Sequence, residues 1–445
     1  MGVHGCQSLV EFWRQPCQIG RHERLSLKRF QQIKQYLDVE PVQIEGRSDM
    51  EWWKKLEPLN SILQKRSQKA LKPGSNLALD EMMVWFSGRS KHTYRMPNKP
   101  ITQGYGILAL CWKGYTWNWL YTSRAAGIQI PDQQPYRGPI HLTPTLIAVY
   151  QLVKALPYCA HQFNIYMHNY FSNIALFQVL RTLGIGACGT ARQNKNAFPP
   201  DIHNSFPGLS WNHLCRAQLG SFSNPVLALQ WEDSGSVHLL STIDEIDQFV
   251  NPQRKKPHTT TTNAATTWRP FTSCHQRAIL PIPQIIDNYN HNMNGVDHAD
   301  QLRASYSTQL KALRNWLPLF FWILDTSIVN ALILFQIFHP NTTHRQFRLD
   351  LIKGLFKAST KIAKPRIWTT CKQKTPTLYR SKHQNTLPPL APGPHNLIHL
   401  PPGKRSTCVF CCFSLKKYSY TRFACSSCSI ALSKSNDCFN KYHVR

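Results

Sequence analysis

The sequence predicts an α/β or α+β layered core with helical segments on either side, and three observations carry that reading. Short β-rich runs and an amphipathic helical stretch alternate between Leu77 and Ala191, as strands covered by helices do. Hydrophobic residues are 42% of the 445 and aromatics 11%, enough to bury a real core and to exclude a generic disordered tail. Lys and Arg total 52 against 23 Asp and Glu, a formal net charge of +29. Such a surface argues against a neutral metabolic enzyme. It attracts polyanions, nucleic acid first and an anionic membrane surface second. The length suggests about three domains, or one elaborated core with appendages.

The elements follow in order. Arg24 to Asp38 reads as an amphipathic helix, with Leu27, Phe30, Ile33 and Leu37 at steps of three or four. Trp52 to Lys72 repeats the pattern through Trp53, Leu56, Leu59 and Leu63, and Pro73-Gly74 ends it. Leu77-Ala78-Leu79 is a short strand that delivers Asp80 and Glu81 at its end. Gly106–Trp112 and Thr116–Thr122 are strands joined by the hairpin signal Lys113-Gly114-Tyr115. Asn164–Met167 is another strand. A helix follows it, capped by Ser172, with Ile174, Phe177, Leu180 and Leu183 on one face and Gly184 at its end. Ile185–Ala191 is again a strand. Beyond it, Val226–Trp231 and Val237–Ser241 flank the turn Asp233-Ser234-Gly235 in a looser region that reads as a partly β insertion. Helical pattern resumes near Asp297.

Trp316 to His339 is apolar enough to raise the question of a membrane span. Asp325 near its centre costs about 3 kcal/mol in a bilayer, so a helix buried in a globular core is the better reading. Met1 to Gly20 has no apolar signal core, being interrupted by Glu11 and Arg14. A reducing compartment follows, in which clustered thiols are metal ligands before they are disulfides. Six of the 14 cysteines lie in the last 38 residues. Cys408-x2-Cys411 and Cys425-x2-Cys428 are two knuckles separated by 13 residues, a strong Zn²⁺ signal, with Cys438 and His443 as further ligands.

Three blocks carry the remaining chemistry: Leu79-Asp80-Glu81-Met82, followed by Pro97-Asn98-Lys99-Pro100; His168-Asn169-Tyr170-Phe171-Ser172; and Gly295-Val296-Asp297-His298-Ala299-Asp300-Gln301. A lone Asp-Glu pair at a strand end is ordinarily a surface turn. Together with Ala187-Cys188-Gly189-Thr190, in this order and spacing, the blocks resemble the piggyBac family of DNA transposases over roughly Arg24 to Gln336. The terminal cysteines resemble the family's cysteine-rich domain.

The resemblance implies an RNase H-like catalytic core, two Mg²⁺ ions held by aspartates, hairpin chemistry at transposon ends and insertion at TTAA. Phosphoryl transfer of that kind needs hard anionic oxygens around both metals. Asp80 matches the first family carboxylate, Asp297 the third and Asp300 an added acidic position. At the second, where the family has Asp-Asn, this chain has His168-Asn169, and no acidic residue lies within ten positions of it. The resemblance also implies a two-zinc tail, but Ser433 stands where the family usually has Cys; Cys412, adjacent to Cys411, is the candidate to compensate.

Six regions are expected: a helical DNA-binding or dimerisation region, 1–75; the first part of the RNase H-like core, 76–191; an insertion domain, 192–278; the last part of the core with helices, 279–356; a basic Pro-rich linker, 357–405; and a zinc-binding domain, 406–445. Arg89, Lys91, Arg95, Lys99, Arg254, Lys255 and Lys256 are the expected phosphate-binding residues, with Lys404 and Arg405 as a further short basic cluster. The expected partners are DNA and a second copy of the chain; no membrane and no small-molecule cofactor are expected, and the compartment is the nucleus. The chain starts close to the first family helix, without the family's frequent acidic leader, which suits decay of a mobile element. The function expected is a transposase-derived DNA-binding protein impaired in catalysis by His168. The alternative is an active metal-dependent DDE-type transposase.

Overall fold

The computed structural model describes residues 26–39, 53–97, 99–128, 136–192, 198–199, 202, 211–220, 224–233, 235–243, 247–256, 268, 270–271, 276–312, 314–362 and 387–444. Arg24, Trp52, Asn98, Ser234 and residues 363–386 of the expected linker lie outside them. Two compact units divide the chain, Met1–Lys357 and Ala358–Arg445.

The larger unit begins with helices α1 (Leu27–Tyr36) and α2 (Glu57–Ala70). A ten-stranded mixed sheet follows, built from β1 (Asn76–Trp85), β2 (Tyr94–Arg95), β3 (Gln103–Trp112), β4 (Tyr115–Ser123), β5 (Gly127–Ile128), β6 (Asn164–Met167), β7 (Gly186–Thr190), β8 (Leu214–Leu219), β9 (Val226–Glu232) and β10 (Ser236–Ser241). The strand order is β5-β4-β3-β1-β6-β7-β10-β9-β8, with β2 paired to β3. Only β1, β6 and β7 run parallel to one another; every other pairing is antiparallel.

Alternation along β1 explains why the sheet is covered on both faces. Leu77 and Leu79 enter a core with α3 (Pro144–Lys154) and α4 (Ile174–Thr182), through Val149, Leu152, Phe177 and Leu180. Ala78, Met82 and Val84 enter a second core on the opposite face. The next helices are α5 (Gln284–Asn292), α6 (Gly295–Ser305), α7 (Leu317–Phe338) and α8 (His344–Ile362). Val296 and Ala299 of α6, with Trp322 and Ile323 of α7, complete that second core. The β3–β4 hairpin turns on Lys113 and Gly114, both with positive φ (47° and 90°), the pair of left-handed residues that a two-residue turn between twisted strands requires.

Several expectations change. Asp80 sits in the middle of β1, because antiparallel pairing to β3 continues to Trp85 after parallel pairing to β6 ends at Leu79–Met167. Strands of the 192–278 stretch join the main sheet, since Leu240 of β10 pairs with Gly189 of β7. The cap of α4 is Asn173, whose side chain accepts from Ala175 N–H at 2.8 Å, while Ser172 Oγ bonds the His168 carbonyl. Helix α7 is long and apolar enough to cross a membrane, yet it packs against β1, β4, α2 and α6. Its Asp325 is buried and accepts from Thr308 N–H and Ser307 Oγ–H, so the polar group that spoils a membrane span is satisfied inside protein.

In the smaller unit, Leu397–His399 pairs with Phe423–Cys425 and Ser406–Thr407 with Tyr420–Thr421. The Tyr442 hydroxyl donates to the Pro388 carbonyl at 2.7 Å, and Leu387 packs on the cysteine core. The unit therefore includes residues 387–405, read from composition as linker.

Candidate functional site

Register brings the first two expected residues together. Leu79 of β1 lies opposite Met167 of β6, so Asp80 and His168 follow on neighbouring strands. Both line a cleft of about 710 Å³ with Glu81, Tyr94, Lys99, Arg124, Tyr170 and Arg192. Helix α6 brings Asp297 and Asp300 to the same side of the sheet. Gly295 permits its approach, because a Cβ there would stand 3.1 Å from both Ala78 Cβ and the Cys111 carbonyl oxygen.

The electrostatics are those of a crowded acidic site already supplied with cations. Burial pushes the Asp80 carboxyl above its ordinary value; the Glu81 N–H (2.8 Å), Lys99 and His168 oppose this, and Asp297 reinforces it. Glu81 is raised by burial and by Asp80, and its partner is Lys99 at 3.7 Å. Asp300 is raised chiefly by burial, opposed by Arg303, which pairs with it at 2.6 Å. Asp80 thus lies within range of the charges of His168 and Asp297, and Asp300 within range of Asp297. Among the described residues, however, the groups of three or more His, Cys, Asp or Glu whose ligating atoms lie within 4.8 Å of one another are both in the smaller unit.

The first of these is His395, Cys425, Cys428 and His443. His395 Nδ1 stands 3.4 Å from both Cys425 Sγ and Cys428 Sγ, and His443 Nε2 stands 3.6 Å from Cys428 Sγ. Tetrahedral Zn²⁺ with ordinary Zn–S and Zn–N bonds places S and N ligands about 3.6 Å apart, so the set fits. His443 Nδ1 bonds the Phe439 carbonyl at 2.7 Å, an arrangement that leaves Nε2 bare to face the metal position. The second group is Cys408, Cys411 and Cys438, all fully buried. Each knuckle serves a different group, so the two positions interleave along the chain. His395 was missed because a single His in Pro-rich sequence gives no spacing signal.

The family described as Transposase IS4 matches residues 1–332, three-quarters of the chain and every element of the cleft. The chain belongs to this piggyBac-type transposase family. Human PiggyBac transposable element-derived protein 2 is 24% identical over 269 residues, 58% of this chain and 40% of that protein. Human PiggyBac transposable element-derived protein 3 is likewise 24% identical over 269 residues, 59% of this chain and 40% of that protein. The chain thus spans about 40% of the length of these relatives. A cryo-EM structure of the piggyBac transposase synaptic complex with hairpin DNA has the same fold, with a TM-score of 0.62, 19% identity, and coverage of 82% of this chain and 71% of that one.

Within this piggyBac-type α/β fold the expected basic residues divide. Arg89, Lys91, Arg95 and Lys255 are exposed. Lys99 faces Glu81. Arg254 is committed internally, with two bonds to Asp233 (2.9 and 2.6 Å) and its guanidinium over Trp231. Lys256 lies over the Trp268 ring. Arg124 and Arg192 were missed because each stands alone in sequence; only the fold carries them to the cleft. Arg192 is held by Asn169 Oδ1 at 3.2 Å and stacks over the half-exposed Tyr170 ring.

Proposed function

We propose that this chain is a transposase-derived DNA-binding protein whose RNase H-like core no longer supports two-metal strand cleavage. The core reading is supported by the order β4-β3-β1-β6-β7, with β1 antiparallel to β3 and parallel to β6, and by Asp80 beside the end of β6. One observation carries the loss of cleavage: the residue after β6, next to Asp80, is His168. Imidazole is a poor substitute for an anionic oxygen between two hard divalent cations. The surroundings point the same way, because Asp300 is occupied by Arg303 and Lys99 already compensates the remaining charge. The donor set does not fit two Mg²⁺ ions, and no cleavage step is assigned to it.

Binding is the work left to these residues. Arg124 and Arg192 line the cleft, the exposed Arg89, Lys91 and Arg95 add cations elsewhere on the same unit, and Tyr170 offers an exposed ring on which a base can stack. Zn²⁺ held by His395, Cys425, Cys428 and His443 would staple a unit too small to fold on its apolar core alone. The setting is nuclear, with DNA as partner and a homodimer as the assembled form; the synaptic complex among the structural relatives supports the DNA partner. Affinity for duplex DNA should fall steeply with salt, log K against log[salt] having a slope of about −0.9 for each phosphate neutralised. Salt-insensitive binding, or none at low salt, contradicts the reading.

A further inference from the structure

The family resemblance implies a second closed, four-ligand zinc in the tail, and the residues do not fit it. Cys408, Cys411 and Cys438 bring three buried Sγ atoms within 4.8 Å of one another, with Cys411 and Cys438 at 3.2 Å. Among the described residues no fourth His, Cys, Asp or Glu joins them. Cys412, the neighbour of Cys411 in sequence, is not in the group. Ser433 stands in the fourth place, but its hydroxyl bonds Ser435 Oγ at 2.9 Å. What Ser433 does give the sulfurs is its backbone N–H, which donates to Cys408 Sγ at 3.1 Å. Asn436 Nδ2 donates to Cys411 Sγ at 3.6 Å. Cys408 and Cys411 thus accept hydrogen bonds at sulfur, Cys438 Sγ faces the Asn436 carbonyl at 3.7 Å, and the three sulfurs stand one ligand short of a closed tetrahedron.

We propose that Cys408, Cys411 and Cys438 form an open three-thiolate site that takes one thiophilic, three-coordinate centre, such as trivalent arsenic, in place of a second structural zinc. Soft sulfur donors select soft centres. A divalent ion on three thiolates still needs a fourth ligand, and no His, Cys, Asp or Glu among the described residues supplies it. A trivalent centre on three thiolates is neutral and needs no fourth ligand. With arsenous acid, three As–O bonds break and three As–S bonds form. Each thiol proton leaves with one hydroxide as water, and nothing is oxidised or reduced.

The test uses the full chain, reduced and zinc-loaded, with sodium arsenite as probe and metal content read by native mass spectrometry. The parent should carry one zinc, then gain one arsenic while keeping that zinc. Cys438→Ala should lose arsenic uptake by at least tenfold, and Cys412→Ala should match the parent. Ser433→Cys, which adds the fourth thiolate without removing any ligand, should carry two zincs and take up arsenic at least tenfold more weakly. Two zincs in the parent, no arsenic uptake, or arsenic gained only as the single zinc is lost would each overturn the proposal.

Discussion

The carboxylate cleft and the cysteine unit each stand one ligand short of what the family resemblance implies, and the same deficit has opposite consequences. In the cleft the missing group is a charge. His168 stands where the resemblance implies a carboxylate, Asp300 turns to Arg303, and Lys99 sits against Glu81. In the tail the missing group is one of several soft donors. Ser433 replaces a thiolate, yet three sulfurs stay gathered and a complete Cys2His2 set stands beside them. Hard cations need every anionic oxygen, because their affinity is largely Coulombic; soft ions form strong individual bonds to sulfur and tolerate a lower coordination number. A two-metal carboxylate centre that lacks one ligand should therefore fail before a zinc unit that lacks one does.

The largest effect should come from chelation. Stripping metal should abolish the fold of residues 387–444 while the sheet unit survives, read as hydrogen exchange that collapses in the tail alone. Equal loss of protection in both units would erase the distinction between them. Next in size is Arg303→Ala, which leaves Asp300 beside Asp297 without its cation. It should destabilise the sheet unit by about 2 kcal/mol in urea melts, with Asp300→Asn as a second change recovering part of the loss. No loss in the single variant would show that the pair contributes nothing.

The smallest effect is one of sign. Because the Asp80 carboxyl is raised, between its ordinary value of 3.8 and its native value the folded chain holds a proton that the unfolded chain releases. Stability from this group is present at low pH and is lost as pH rises through the native value. Asp80→Asn should thus be slightly stabilising at neutral pH and should flatten the pH dependence above the ordinary value of 3.8. Destabilisation at neutral pH would mean that the ionised carboxylate is held by a partner stronger than Lys99.

Legibility in the sequence also differed between the two regions. The knuckles were readable because Cys-x2-Cys is a local geometry, and the apolar run Leu77-Ala78-Leu79 announced β1. His395 was not readable, since its role depends on strand Leu397–His399 pairing with Phe423–Cys425. The acidic blocks could be named only by resemblance, because their meaning lies in which strands and helices become neighbours. Composition made Arg254 a phosphate ligand, whereas Asp233 and Trp231, brought beside it by the fold, occupy it. Helix α3 had the apolar residues of a core helix, Leu146, Val149, Leu152 and Val153, but no flanking motif drew attention to it.

The central claim is that His168 separates DNA binding from DNA cleavage. A strand-nicking assay on transposon-end duplexes and hairpins, in Mg²⁺ and in Mn²⁺, tests it most directly when run on the parent chain, His168→Asp and His168→Ala. The account predicts DNA binding at low salt by all three, no cleavage by the parent or by His168→Ala, and restored metal binding with some nicking in His168→Asp. Robust Mg²⁺-dependent cleavage by the unmodified chain, lost in His168→Ala, would contradict it and make the histidine a working ligand.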